Sequence, residues 1–290
     1  MFKLSVFTDE ISQDFAHAVD VAVEYGCKGV EVRSVWDHPP QEIPKADIAR
    51  MKSILADKGL AVSCVASPFY KCELDSKQEI ATHHDILKRC IDLATALDCR
   101  IVRTFSFWRR HELDDATWRR ILDEFQKPVE IACDAKVILA LENESSTYIG
   151  TGACTARLLK ALAAPELKVI WDPQNAVVDP DEKEEPFPDG YDAVKANIVH
   201  VHVKDCTIDR ATGKFACCQV GSGVIDWPGQ FRALLKDGYS AYCSLETHWR
   251  PNTLTEEEMN KPGGATFSKD GEFASRQCLG SINAMLEKIA

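Results

Sequence analysis

Four residues whose side chains commonly bind metals recur along the chain: Glu142, Asp172, His202 and Glu246. Each lies at or near the carboxyl end of a short apolar run, such as Val-Ile-Leu-Ala-Leu before Glu142. Successive members are 30, 30 and 44 residues apart, which fits one strand and one helix per step, with an insertion in the last. The spacing predicts that the four side chains stand side by side at one rim of a parallel sheet.

This set of side chains favours a divalent cation. Three carboxylates brought so close would repel one another unless a cation lies between them. Oxygen donors with one imidazole suit Mn²⁺, Mg²⁺ or Co²⁺, and Zn²⁺ also accepts such a set. A single strand-end carboxylate is usually a helix cap or a surface charge, but four adjacent strands that each end in a metal-binding group argue for a site. We therefore predict one bound divalent ion, with manganese favoured.

The stretch from Ile198 to Lys204 has two unlike faces. Residues two apart in a strand share a face, so three valines point one way while His200, His202 and Lys204 point the other. A parallel strand covered by helices is normally apolar on both faces, so these polar residues indicate an open pocket. An exposed strand face or a hydrogen-bonded core imidazole is the alternative for the two histidines alone. A closed α/β barrel keeps its active site at the carboxyl ends of its strands.

Short β-branched runs alternate with segments of helical period along the chain, which is typical of repeated βα units. The predicted strands are 2–7, 29–33, 61–66, 100–104, 137–142, 167–172, 198–204 and 241–246. The predicted helices are 14–25, 46–58, 77–97, 115–135, 153–163, 228–236 and 271–289, with a short turn near 192–196. The predicted fold class is α/β, a (β/α)8 TIM barrel in a single domain covering residues 1–290. Gly26, Gly59 and Gly238 each follow a helix, where a left-handed residue is commonly needed.

Composition excludes several classes of function. A formal net charge of −11 disfavours nucleic acid as a partner, because binding to phosphates needs clustered lysine and arginine. The twelve cysteines are scattered without a Cys-x-x-Cys motif, unlike those of a disulfide scaffold. No apolar run approaches the ~18 residues of a membrane span. The sequence predicts a cytoplasmic enzyme with no membrane partner and leaves open whether it forms a homo-oligomer.

Several motifs carry a family resemblance. They are Leu-Glu-Asn at 141–143, Trp-Asp-Pro-Gln-Asn at 171–175, His-Val-His-Val-Lys-Asp at 200–205 and Gly-Ser-Gly-Val-Ile-Asp at 221–226. The chain resembles the sugar phosphate isomerase/epimerase family of xylose-isomerase-like barrels, relatives of ketose 3-epimerases and inosose dehydratases. The resemblance spans nearly the whole chain. It implies that one divalent metal is bound by the same four residues that the spacing singles out.

The resemblance also implies a reaction. The expected enzyme is a metal-dependent isomerase or epimerase of a small carbohydrate, a ketose or a sugar phosphate, acting through a metal-stabilised enediolate. Glu142 and Glu246 are the expected catalytic acid and base. The alternative is a lyase or dehydratase acting on a keto-sugar or inosose, because a β-hydroxyl could leave from the same enediolate. A non-catalytic sugar-binding barrel is a third possibility.

Two departures from the family pattern bear on the substrate. Asn175 stands where many relatives have a histidine that faces substrate, and Glu144 stands where many have another. Both are predicted to bind substrate. The remaining predicted substrate-binding residues are Lys204, Arg103, His248 and Trp108.

Three features leave alternatives open. An inward ion pair is the alternative for Arg103, as it is for Glu31 and Arg33 on the second strand. The loop from Gly221 to Gly223 either cradles a phosphate or simply turns the chain. Residues 251–266 are expected to form a lid.

Overall fold

The computed structural model describes residues 1–181, 183–209, 211–251 and 268–289. These residues include ten strands: β1 (Lys3–Val6), β2 (Gly29–Val32), β3 (Ala61–Val65), β4 (Ile101–Thr104), β5 (Ile138–Glu142), β6 (Leu167–Trp171), β7 (Ile198–Val203), β8 (Asp205–Ile208), β9 (Phe215–Cys218) and β10 (Tyr242–Leu245). Eight of them form one nearly closed parallel barrel, in the order β1-β10-β7-β6-β5-β4-β3-β2. The predicted TIM barrel is confirmed.

Helices alternate with the barrel strands. Those of the described residues are α1 (Phe15–Glu24), α2 (Lys45–Lys58), α3 (Lys77–Ala96), α4 (Asp115–Ala135), α5 (Gly152–Leu162), α6 (Pro173–Val177), α7 (Tyr191–Val194), α8 (Trp227–Lys236) and α9 (Gly271–Glu287). Predicted and observed bounds agree within one residue for the strands and within two for the long helices. Gly26, Gly59 and Gly238 have φ of 76°, 65° and 76°, so the predicted left-handed positions are confirmed.

The sequence did not reveal two elements. One is the antiparallel hairpin of β8 and β9, which directly follows β7. The other is the short helix α6, whose N-cap is Asp172. The predicted lid lies outside the described residues, apart from Pro251. Within the described part of the chain, no helix has the length and apolar character that a membrane span requires.

The residues Met1–Ser63 and Val201–Ala290 form one compact unit. In this unit β1 pairs in parallel with β10, from Lys3 opposite Tyr242 to Val6 opposite Leu245. An isolated parallel bridge joins Phe7 to Glu31 just beyond β1. Large buried aromatic side chains fill the core, including Phe15, Trp227 and Phe231. This pairing fixes the strand end that precedes Glu246.

The residues Cys64–His200 form the other compact unit. Here β4, β5 and β6 pair in parallel, with Thr104 opposite Leu141 and Glu142 opposite Ile170. A small apolar cluster of Cys64, Ala140 and Ile170 is completely buried. The register brings the carboxyl ends of these three strands to the same level.

Candidate metal centre

Glu142 is the last residue of β5 and is buried. Arg103 donates from Nη1 to its Oε2 at 2.9 Å, and Asn175 donates from Nδ2 to its Oε1 at 3.3 Å. Arg103 also donates to the main-chain carbonyls of Ser67 and Ala66. The sequence predicts that Arg103 contacts substrate, but these contacts favour its alternative, an inward ion pair that holds Glu142.

Asp172 directly follows β6 and is the N-cap of α6. Its Oδ1 accepts a hydrogen bond from the backbone N–H of Asn175 at 2.9 Å, and a carboxylate is stabilised at a helix N-terminus. The side chain of Asn143 bonds both the N–H and the carbonyl of Asp172, each at 2.8 Å. The backbone N–H of Asn175 therefore fixes the side chain of Asp172, and the side chain of Asn143 fixes its backbone.

His202 lies in β7 and is completely buried. Its Nε2 is 3.2 Å from Oε1 of Glu31, and its ring packs against the edge of Phe7 at a centroid distance of 5.2 Å. A histidine that binds a metal through one ring nitrogen usually gives its other N–H to a carboxylate or carbonyl. Glu31 is therefore a partner of the kind that a metal-binding His202 requires.

Glu246 follows β10 and lies among basic side chains. Lys204 Nζ is 3.0 Å from Oε2, while Arg33 Nη1 and His248 Nε2 are 3.2 and 3.3 Å from Oε1. Burial alone would raise the pKa of Glu246, but Lys204, His248 and His202 outweigh it and hold that pKa well below its usual range. Glu246 is thus ionised, as a metal ligand must be. Lys204 and His248 contact this glutamate.

Glu142, Asp172, His202 and Glu246 meet the chemical requirement for a divalent ion. Each offers one ligand atom, a carboxylate oxygen or an imidazole nitrogen. All four residues are buried, and three carboxylate oxygens with one imidazole nitrogen suit Mg²⁺, Mn²⁺ or a similar ion. The residues therefore fit a resident metal, although the donor set does not identify which one.

Glu144 and Trp108, two predicted substrate-binding residues, share a partner in Lys71. Lys71 Nζ is 3.3 Å from Oε2 of Glu144 and 5.3 Å from the centre of the Trp108 ring. All three side chains are half-buried. Lys71 was not predicted, because it lies in a loop after β3 where no periodic pattern assigns side chains to a face.

The Gly-Ser-Gly loop bonds to a side chain of the protein. Asp205 accepts hydrogen bonds from the backbone N–H groups of Gly221, Gly223 and Ile225 at 2.9 to 3.2 Å, and from Cys206 at 2.9 Å. A Cβ on Gly223 would lie 2.1 Å from Oδ1 of Asp205. Of the two roles weighed for this loop, the contacts favour turning the chain.

Arg33, Asp9, Glu10 and Arg250 form a buried charged group beside Glu246. The sequence assigns Arg33 to an inward face but cannot name its partners. Asp9 and Glu10 belong to the short 3₁₀ turn Thr8–Glu10, where the alternation of a strand no longer applies. Their adjacency in Phe-Thr-Asp-Glu, immediately after the first strand, is the one signal that could have found them.

Comparison with known proteins agrees with the fold. The model of the xylose isomerase-like TIM barrel family matches residues 19–265. A search of curated proteins found no match.

Solved structures of similar fold include three whose descriptions mention a ligand or an activity. One is a xylose isomerase-like TIM barrel protein from Mycobacterium smegmatis in complex with magnesium (18% identity, TM-score 0.68, covering 97% of this chain and 98% of that chain). Another is a D-allulose 3-epimerase from Methylomonas sp. in complex with D-allulose (16% identity, TM-score 0.71, covering 98% of this chain and 97% of that chain). The third is a probable 3-DHS dehydratase from Bacillus anthracis (17% identity, TM-score 0.71, covering 97% of this chain and 99% of that chain). At these identities the similarity establishes the fold alone. The family model, which covers most of the sequence, shows that this chain belongs to the xylose isomerase-like TIM barrel family.

Proposed function

We propose that this protein is a divalent-metal-dependent isomerase or epimerase of a small carbohydrate. The observation that carries the proposal is that four buried side chains at or near the ends of barrel strands each offer a metal-ligand atom: Glu142, Asp172, His202 and Glu246. Membership of the xylose isomerase-like family and the structural similarity to a D-allulose 3-epimerase support it. Mn²⁺ is the ion we favour, and Mg²⁺, Co²⁺ and Zn²⁺ are the alternatives.

The ion, when bound, would polarise a substrate carbonyl and make the proton on the neighbouring carbon more acidic. Glu142 and Glu246 would then move that proton, one as base and the other as acid. Asn175 suits a positioning role, because an amide donates and accepts hydrogen bonds but does not titrate near neutral pH. Lys204, His248, Glu144 and Trp108 are the other groups that we assign to substrate.

Arg103 has a different part in this proposal. Its guanidinium donates to Glu142 and to two main-chain carbonyls. We therefore assign it to holding Glu142 in place. This replaces the contact with substrate that its position on a barrel strand suggests.

Dehydration of a keto-sugar or inosose is the second candidate. The similarity to a probable 3-DHS dehydratase favours it. The same α-proton would be removed, and a β-hydroxyl would then leave as water instead of a proton returning to the carbon. A non-catalytic sugar-binding barrel is the third reading, but it has little use for Glu142 and Glu246 as ionised groups beside a metal.

One experiment separates these outcomes. The purified protein, loaded with Mn²⁺ and in parallel with Mg²⁺, is incubated in D₂O with a panel of ketoses, ketose phosphates and inososes and followed by NMR. We expect an isomeric sugar carrying deuterium at the α-carbon. An unsaturated ketone would identify the dehydratase, and unchanged sugars whose resonances broaden on binding would identify a binding protein.

A further inference from the structure

Arg33 lies one residue beyond β2 and is buried. Each of its three nitrogens contacts a different carboxylate: Nε to Asp9 Oδ2 at 2.8 Å, Nη2 to Glu10 Oε1 at 2.9 Å and Nη1 to Glu246 Oε1 at 3.2 Å. The guanidinium also lies over the ring of Phe7, 4.8 Å from its centre. We call Arg33 with these three carboxylates the Arg33 bridge.

The geometry of the bridge is specific to arginine. Its planar fork carries five N–H donors in fixed directions, whereas a lysine ammonium is a point charge on a flexible stem. An ammonium also has three N–H donors, but all three are on one nitrogen, so it cannot reach the three carboxylates from the separate positions that Nε, Nη1 and Nη2 occupy. The far side of the bridge is fixed as well, because Arg250 Nη2 is 3.0 Å from Oε2 of Glu10.

The bridge sets the orientation of the Glu246 carboxylate. Arg33 contacts Oε1, while Lys204, which directly follows β7, contacts Oε2. With one cation on each oxygen, the plane of the carboxylate cannot rotate without breaking an ion pair. A metal ligand gains affinity when it is held in its binding orientation before the ion arrives, because less freedom is then lost on binding.

We propose that Arg33 is a positioning residue that holds Glu246 in the orientation needed to bind the divalent ion. This inference rests on the proposed function, because it takes Glu246 to be a metal ligand. It assigns no contact between Arg33 and substrate.

The test is titration of the metal-free full-length protein with Mn²⁺ by isothermal calorimetry and electron paramagnetic resonance. Arg33→Lys keeps the positive charge, so electrostatic repulsion of the ion hardly changes and the loss of the fork is what is measured. We expect Mn²⁺ affinity to fall about tenfold, within the range for groups that orient metal ligands, with stoichiometry unchanged. Circular dichroism checks that each variant is folded.

Arg109→Lys is the matched control. Arg109 is also a nearly buried arginine paired with two carboxylates, those of Asp179 and Asp181, and it has no assigned part in the centre. Its substitution should leave Mn²⁺ affinity unchanged. A general effect of weakening buried ion pairs would lower affinity in both variants and would contradict the inference.

A double-mutant cycle shows whether Arg33 acts through Glu246. Glu246→Gln alone should weaken Mn²⁺ binding, and adding Arg33→Lys to it should produce no further loss. If the fold-losses of Mn²⁺ affinity in the two single variants multiply in the double variant, the inference is overturned. It is also overturned if Arg33→Lys binds Mn²⁺ with wild-type affinity. Failure of the wild-type protein to bind Mn²⁺ would instead reject the proposed function, and this inference with it.

If Arg33→Lys melts too low for titration, Asp9→Asn replaces it in the cycle. This change loosens the guanidinium from the opposite side without altering Glu246. The same loss is expected at a smaller size, about two- to threefold, and an unchanged affinity would again reject the inference.

Discussion

The two compact units hold their acidic residues by different means. In residues 64–200, main-chain groups do much of the work: Asp172 accepts a backbone N–H, Asn143 bonds the backbone of Asp172, and Arg103 is anchored to two carbonyls. In the other unit, Glu246 is held by charged side chains, including Arg33 and Lys204.

The two arrangements should differ in how well they tolerate side-chain substitutions. Backbone hydrogen bonds persist through side-chain substitution elsewhere, since the strand or helix that carries the donor keeps its position. A network of buried charges fails as a unit, because removing one partner leaves the others without compensation. The unit containing Glu246 should therefore be the more sensitive to single substitutions.

The largest expected effect concerns catalysis, in which we assign both regions a part. Glu142→Gln and Glu246→Gln each keep an oxygen donor but remove a basic carboxylate, so proton exchange at the substrate α-carbon should slow by ~10² to 10⁴ with metal bound. Deuterium incorporation measured by NMR checks this, with the surface variant Glu73→Gln as control. If both variants retain metal and exchange at the wild-type rate, Lys204 becomes the next candidate.

Stability gives the next largest effect. Arg33→Met leaves Asp9, Glu10 and Glu246 buried without their shared cation and should lower the free energy of unfolding by about 3 to 5 kcal/mol. Arg110→Met breaks an exposed pair with Glu73 and should cost less than about 1 kcal/mol. Urea denaturation measures both.

Arg103→Met sharpens the comparison between the units. Its loss of unfolding free energy, measured by urea denaturation, should lie between those of Arg33→Met and Arg110→Met. The reason is that α6 and Asn143 still hold the neighbouring Asp172. A larger loss for Arg103→Met than for Arg33→Met would reverse the comparison.

A smaller effect is expected at Asn175, whose amide donates to Glu142 while its backbone N–H caps Asp172. Asn175→Ala keeps the backbone donor and removes the side chain, so substrate binding should weaken about tenfold, roughly 1.4 kcal/mol, with kcat little changed. Steady-state kinetics on the substrate identified by NMR tests the assignment. A fall in kcat at constant KM would contradict it.

The smallest expected effect is a pH dependence of stability that differs between the two units. Burial lowers the pKa of His83 to about 4, and its Nδ1 accepts the backbone N–H of Tyr70 at 2.9 Å. Because the unfolded histidine takes up a proton at higher pH than the folded one, stability should fall as pH drops from about 6.5 towards 4. His83 is partly exposed to solvent, so we expect at most about 1 kcal/mol after allowing for solvent screening. His83→Gln should abolish this slope, and an unchanged slope would exclude His83.

The other unit has a different pH window. Burial would raise the pKa of Glu10, but Arg33, Arg250 and His248 outweigh it and lower that pKa. Its folded pKa is thus below its unfolded one, so the stability it contributes is present above about 4.5 and is lost as pH falls further.

The sequence predicted the strand ends well because period-two alternation and strand-to-strand spacing are local properties. It assigned Arg33 and Arg103 to inward faces for the same reason. It could not name their partners, since Asp9 and Glu246 are brought to Arg33 by pairing between strands far apart in the chain. Positive side chains beside Glu246 also reduce the carboxylate repulsion that we expected a metal alone to relieve.

The missed hairpin has a physical explanation. Strands β8 and β9 have four residues each, and Phe215 is exposed on β9. Only Asp205 and Cys206 of the two strands are buried, so the hairpin has no continuous apolar face and its sequence has no alternation to detect. The hairpin is instead held by hydrogen bonds around Asp205, which no pattern of hydrophobicity records.

Asp205 has a consequence for how this loop could change. Four backbone N–H groups converge on one carboxylate, and converging amides of this kind form a concave nest for anions. Here the carboxylate of Asp205 itself occupies the nest. A descendant that exchanged Asp205 for glycine would leave these four N–H groups without their carboxylate, and a free phosphate or carboxylate that took its place would then hold the loop.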